Sequence, residues 1–349
     1  MSNTDNTFSP QEKLFLSLTH YSIQKPTSPW YLNNGGNTGI GNMLFQIASS
    51  FCFSVKNNAQ LFVPGLEIFF ENEKIVKTDS IFRNINTECP EEYTKQLYVN
   101  YSSKEIGLFL ENAEEQTSYR KITKYENNYH PSEFKYLDVS EFPMEYMDIH
   151  KNVIVSNDSN GSIWDNIFKY RNNLIIHCLF ENWRNFNEYR TSILELFRPS
   201  QEDNLYITNK YPEILNQNVC SIHVRLGPDY KQIYQSNYQR LVELQHGYLK
   251  SLDHMIETKH IDTCFVFTND PEYCQNLFDK NHKYSGIKFI YSQERDFVDI
   301  WMISLIKNNI VSVSTLAWWG SFLNECPDQY IVCCKGNRDD LHYPGWVVI

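Results

Sequence analysis

From about residue 219 onward, short apolar runs alternate with longer stretches whose apolar positions recur every three or four residues. The pattern predicts strands at Val219–Arg225, Thr263–Thr268, Ile287–Tyr291, Asn309–Val313 and Gln329–Cys333. Between them it predicts helices at His246–Thr258, Pro271–Lys280, Asp296–Lys307 and Thr315–Asn324. Strands separated by helices of this length form βαβ units, so the class expected is α/β with a parallel, doubly wound sheet. Within Asp296–Lys307 the apolar residues Phe297, Ile300, Trp301 and Leu305 have the spacing of one buried helix face.

The first half is less regular. Residues 1–28 read as an arm closing on a Pro-rich turn at Pro26 and Pro29. Gly35–Gln46 is a glycine-rich loop entering a helix that runs to about Val55, followed by a strand at Gln60–Val63. A strand is expected over 174–180 and a helix over Asn187–Leu196, while the acidic, aromatic stretch 66–140 suggests no element. Glu195–Ser200 marks a domain junction. The expected organisation is therefore an arm (1–28), an N-terminal domain (29–200) and a C-terminal domain (201–349).

With 349 residues and 41.3 kDa the chain has room for two domains. A net charge of -11 and no long Lys/Arg run argue against nucleic acid or an anionic membrane as partner. No apolar run approaches the ~18 residues of a membrane span. Nine scattered cysteines, without a C-x-x-C pair, point to reduced, mostly buried thiols and a cytoplasmic location. A phosphate ligand would have to be held by a few placed charges and backbone dipoles.

Candidate chemistry gathers at the ends of the predicted strands, where open α/β sheets bind ligands. Val219-Cys220-Ser221-Ile222-His223-Val224-Arg225 ends in a histidine and an arginine before Gly227 and Pro228 break it. A guanidinium there suits phosphate or carboxylate oxygens, and an ordinary ion pair is the plainer alternative. Gly39 and Gly41 let backbone N–H groups face an anion at a helix start, or serve only a tight turn. Asn269 can contact a ligand while Asp270 caps the helix opening at Pro271. Ser314 and Thr315 offer hydroxyls and free amides at another helix start, again with capping as the alternative. Asp299, in a first helical turn, can bond a ribose hydroxyl or a base edge, or merely offset the helix dipole. Trp318 and Trp319 read as packing, with stacking on a base as the alternative. The sequence has no Asp-x-Asp pair, zinc-spaced Cys/His set or G-x-S-x-G elbow, so no metal or other cofactor is expected.

In this order the segments resemble the α-1,2-fucosyltransferases of glycosyltransferase family 11. Gly39-Ile40-Gly41-Asn42-Met43-Leu44-Phe45-Gln46 is similar to that family's G-L-G-N-Q-M-F-Q. Leu179–Phe186 resembles Y-F-Q-S-x-x-Y-F, and Ile193–Phe197 fits the helix after it. His223-Val224-Arg225 matches the H-x-R of H-x-R-R-G-D-Y, and Phe267–Asp270 resembles F-S-D-D. Asp299–Leu323 resembles the family's D-x-x-L-M-S-x-C-K-H-N-I-I-A-N-S-S-F-S-W-W-G-A-x-L. Leu226 stands where the motif has a second Arg, and Pro228 is inserted before Asp229.

The resemblance implies a GT-B fold, two Rossmann-like domains facing a central cleft, with an acceptor side and a nucleotide-sugar side. It implies metal-independent, inverting transfer of fucose from GDP-fucose to a hydroxyl of a glycan acceptor. Arg225 would bind the diphosphate and His223 the nucleotide or Arg225. Asp299 would contact guanosine, and Ser314 and Thr315 would hold phosphate oxygens. Gly39, Gly41 and Asn42 would close the cleft from the N-terminal domain, and Asp229 is the candidate general base. Two alternatives stay open: another nucleotide sugar on the same fold, and a glycan-binding protein without catalysis.

Overall fold

The computed structural model describes residues 12–16, 39–56, 59–63, 66, 70, 74–87, 153–155, 173–177, 181–225, 238–334 and 341–349. The chain divides into two compact units, Met1–Thr38 with Phe45–Ile193, and Gly39–Leu44 with Leu194–Ile349.

The first unit holds a four-stranded parallel sheet of β1 (Glu12–Leu16), β2 (Ala59–Phe62), β3 (Val153–Val155) and β4 (Asn173–His177), in the order β2-β1-β4-β3. The arm expected over residues 1–28 is thus corrected: it contains an interior strand of this sheet. Glu-Lys-Leu-Phe-Leu lacks the alternation of a half-buried strand, and an interior parallel strand does not require it. Helix α1 (Ile40–Lys56) is apolar on several sides and buries Met43, Leu44, Phe45, Ile47, Ala48, Cys52 and Phe53. Over 187–197 a short 3-10 turn, Asn187–Tyr189, precedes α2 (Arg190–Phe197).

In the second unit, α3 (Gln201–Lys210) opens on a capping box in which Ser200 and Asp203 satisfy each other's backbone N–H. There follow β5 (Val219–Val224), α4 (Tyr238–Lys259), β6 (Thr263–Thr268), α5 (Pro271–Leu277), β7 (Lys288–Tyr291) and α6 (Asp296–Leu305). Then come β8 (Asn308–Val311), α7 (Thr315–Phe322), β9 (Tyr330–Cys333) and the short β10 (Val347–Val348). All pairings are parallel, in the order β10-β9-β8-β5-β6-β7. The chain steps outward from β5 to β7, then returns to β5's other side for β8. This is the doubly wound α/β arrangement expected, and it puts the reversal of strand order between β5 and β8.

Strand β5 is buried along its whole length because helices cover both faces. Cys220, Ile222 and Val224 pack with Leu244, Tyr248, Leu252 and Met255 of α4 and with Cys264 and Val266 of β6. On the alternate positions, the Ser221 hydroxyl donates to Asn309 Oδ1 of β8 at 2.5 Å. The single buried face expected for α6 is also corrected. Met302 and Ile303 are buried with Phe297, Ile300 and Trp301, whereas Leu305 is half-buried, since α6 packs on more than one side. Gly320 makes one of those contacts possible, as a Cβ there would lie 2.5 Å from Ile303 Cβ. Trp318 and Trp319 are fully buried, and Trp318 Nε1 donates to the Leu341 carbonyl at 2.7 Å. Among the described cysteines all but the half-buried Cys326 are buried.

Candidate active site

Arg225 directly follows β5, beside the sheet's reversal point. His223 precedes it by two residues, so both continue the strand's alternate side. His223 is 8% exposed, and its Nδ1 has no partner among the described residues. Burial, reinforced by the charge of Arg225, pushes the imidazole down to about 3. His223 is therefore neutral near pH 7, a hydrogen-bonding group rather than a cation. The fixed positive charge belongs to Arg225.

On the other side of the reversal point, β8 hands over to α7 through Ser312, Val313 and Ser314. Ser314 is the N-cap by backbone conformation, but its side chain makes no capping bond. It is 4% exposed, and its Oγ has no partner among the described residues. The Ser314 carbonyl accepts from the Trp318 N–H at 3.1 Å, closing the first turn. The first amides of α7 have no acceptor within the helix, the condition under which a helix N-terminus can take an anion.

The glycine segment meets both features. A Cβ on Gly39 would lie 3.2 Å from Arg225 Nη1. A Cβ on Gly41 would lie 2.5 Å from both the carbonyl carbon and Oγ1 of Thr315, and 2.7 Å from the Leu316 amide nitrogen. Only glycine admits that approach. Asn42 follows, its N–H donating to the Gly39 carbonyl at 2.9 Å and its Oδ1 accepting the Thr315 hydroxyl at 2.7 Å. Gly39–Leu44 groups with the C-terminal unit, not with the N-terminal domain expected to carry it. The start of α1, Arg225 and the start of α7 thus surround one place in a single unit.

The third strand end differs. Asp270 accepts from the Tyr273 N–H at 3.1 Å, while its own N–H donates to Thr268 Oγ1 at 3.0 Å, so its carboxylate caps α5. Asn269 beside it is exposed. Beyond β7, the Ser292 hydroxyl donates to Asp299 Oδ1 at 2.5 Å. Burial holds the Asp299 carboxyl well above the usual carboxylate range, with the Ser292 bond opposing and the charges of Asp296 and Glu294 reinforcing. Glu294 anchors that loop by accepting from Lys210 at 2.5 Å, Tyr211 at 2.8 Å and Tyr206 at 3.1 Å. These bonds outweigh its burial and keep its carboxyl below the ordinary value.

Asp229 lies outside the described residues. The structure adds Asp296, a solvent-accessible carboxylate at the first position of α6. Partial desolvation raises it and the charge of Arg225 opposes that rise. Its signal in sequence was its place three residues before Asp299. Among the described residues, no three His, Cys, Asp or Glu side chains cluster in a way that could hold a metal ion. No helix among them is long and apolar enough to cross a membrane.

No protein-family model matches the chain. It is 25% identical to the O-antigen biosynthesis glycosyltransferase WbnK of Escherichia coli over 186 residues, 49% of this chain and 60% of that protein. It is 30% identical to an alpha-1,2-colitosyltransferase of Escherichia coli over 151 residues, 41% of this chain and 49% of that protein. The chain thus spans 60% and 49% of the length of these two curated relatives, both glycosyltransferases. Among solved structures, POFUT1 in complex with GDP-fucose aligns with 95% of this chain and 99% of its own at 10% identity and a TM-score of 0.49. Fucosyltransferase NodZ from Bradyrhizobium aligns with 90% and 92% at 12% identity and a TM-score of 0.45.

Proposed function

We propose that this chain is a metal-independent, inverting glycosyltransferase of the family 11 type. It takes fucose from GDP-fucose and forms an α-1,2 linkage to a glycan acceptor. The observation that carries this reading is the meeting of Arg225, the Gly39–Asn42 segment and the first turn of α7 beside the sheet's reversal point. A fixed cation and two helix starts form a cradle for a diphosphate. The names of the two curated relatives support sugar transfer, and one of them supports the α-1,2 linkage.

In the reaction, the acceptor hydroxyl attacks the anomeric carbon of the donor as the bond from that carbon to the diphosphate oxygen breaks. The electron pair goes to departing GDP, and Arg225 with the α7 amides stabilises the growing negative charge. Neutral His223 offers hydrogen bonds beside Arg225 without adding charge. The hydroxyl proton passes to a base, for which Asp229 is the candidate on sequence position. Asp299 and Asn269 would face the nucleoside.

A second reading has its own support. Leu226 replaces the motif's second Arg, Pro228 displaces Asp229, and one relative transfers colitose. The same site would then take a different nucleotide sugar. Incubation with GDP-fucose, GDP-mannose and UDP- and dTDP-sugars plus an oligosaccharide panel, without metal, separates the readings. Fucosyl product that disappears in Arg225→Ala supports the first. Turnover with another donor alone establishes the second, and glycan binding without transfer points to a lectin-like protein.

A further inference from the structure

Resting on the diphosphate reading of this site, the geometry points to Asn42 as a positioning residue. Its Oδ1 accepts the hydrogen bond of the Thr315 hydroxyl and leaves Ser314 as the side-chain phosphate donor of the α7 start. A threonine hydroxyl has one proton to give. In this structure Thr315 gives it to Asn42 Oδ1 at 2.7 Å. A phosphate oxygen accepts hydrogen bonds and has none to offer, so the Thr315 side chain has nothing left to donate to it.

Ser314 is the opposite case. Its hydroxyl is buried, makes no capping bond and has no partner among the described residues. A buried hydroxyl without a partner is costly unless something else uses it, and an anion at the α7 start would do so. Asn42 therefore acts through Thr315. With Gly41 lying against the Thr315 backbone, it fixes the first turn of α7, the turn that holds Ser314 and the free amides. The two residues stand 273 positions apart, so this link pins one helix start to another.

The test has an arm that needs no ligand. Hydrogen exchange at the Trp318 amide, which closes the turn on the Ser314 carbonyl, is compared in wild type, Asn42→Ala, Thr315→Val and Thr315→Ser. Asn42→Ala and Thr315→Val are expected to speed exchange alike, and Thr315→Ser, which keeps the hydroxyl, to leave it unchanged. Equal exchange in wild type and Asn42→Ala overturns the positioning role. In the second arm GDP is titrated into the same proteins and into Ser314→Ala. A hydrogen bond to a charged phosphate predicts weakening of about ten- to a hundredfold for Ser314→Ala. Asn42→Ala and Thr315→Val should each weaken binding, and their combination should be no worse than either alone. Additive losses, or full affinity in Ser314→Ala, overturn the assignment of the donor. If exchange responds as expected but wild type binds no GDP, UDP or dTDP, the positioning role stands. The diphosphate reading and the role given to Ser314 then fall.

Discussion

Gly41 and Thr315 are in backbone contact: a single added carbon on the glycine would sit 2.5 Å from the Thr315 carbonyl carbon. That closeness makes the starts of α1 and α7 one structure, and it separates the two glycines of the motif. The neighbour of Gly39 is the end of a flexible arginine side chain, 3.2 Å from where a Cβ would lie. The neighbour of Gly41 is main chain, which cannot swing aside.

Gly41→Ala should therefore cost about 1–3 kcal/mol of stability, the usual penalty for forcing an extra carbon into a packed contact. Gly39→Ala should cost much less. Thermal melting of both variants checks this, and equal losses would mean that the α1–α7 approach is not as tight as described.

Arg225→Ala should lower transfer ~10²–10³-fold, the scale of losing one aimed donor to developing negative charge. Arg225→Lys should recover only part of it, because an ammonium lacks the planar fork. Single-turnover rates at saturating donor give the comparison. A lysine variant at full rate would reduce Arg225 to a simple point charge.

His223 sets an acid limb on stability. Its folded value is pushed from 6.5 to about 3, so between those values the unfolded chain binds more protons than the folded one. Stability then falls as pH drops from 6.5 toward 3, and the neutral histidine carries no such penalty above 6.5. Denaturant midpoints across this range should fall less steeply in His223→Gln than in wild type. Parallel acid limbs in the two proteins would show that His223 titrates normally in the fold.

Asp299 works in the other direction. Its folded value is raised, chiefly by burial, so the folded chain holds the proton longer and stability declines as pH rises above the ordinary carboxylate value. Asp299→Asn keeps an acceptor for Ser292 and removes the buried charge, so it should raise the melting point at pH 7 and change it little at pH 3.5. A lower melting point at pH 7 would contradict this. Donor affinity should drop in the same variant if the carboxylate faces the nucleoside.

The second half of the chain was the more legible because its strands are buried and its helices begin with recognisable caps. Thr263–Thr268 falls where the pattern put it, and Asp270-Pro271 starts α5 as read. Helix ends ran long by two or three residues at Leu277, Leu305 and Phe322, where no glycine or proline marks the stop. Helix α4 begins eight residues before the predicted His246. Strand β1 was hidden because five residues in a polar setting carry little periodicity. Residue types and strand ends made His223, Arg225, Ser314 and the glycines candidates, and the structure brings Arg225, the glycines and the start of α7 together. Sequence could not pair Asn42 with Thr315, since a contact across 273 residues leaves no local signal. Nor did it separate Asp270, committed to its cap, from the exposed Asn269.

Calorimetric titration of GDP into wild type and Arg225→Ala in the presence of EDTA decides whether Arg225 holds a diphosphate without metal. GDP should bind without metal, more tightly than guanosine, and Arg225→Ala should lose most of this difference. GDP binding that requires a divalent ion, or that is unchanged in Arg225→Ala, would contradict a diphosphate site built from Arg225 and the two helix starts.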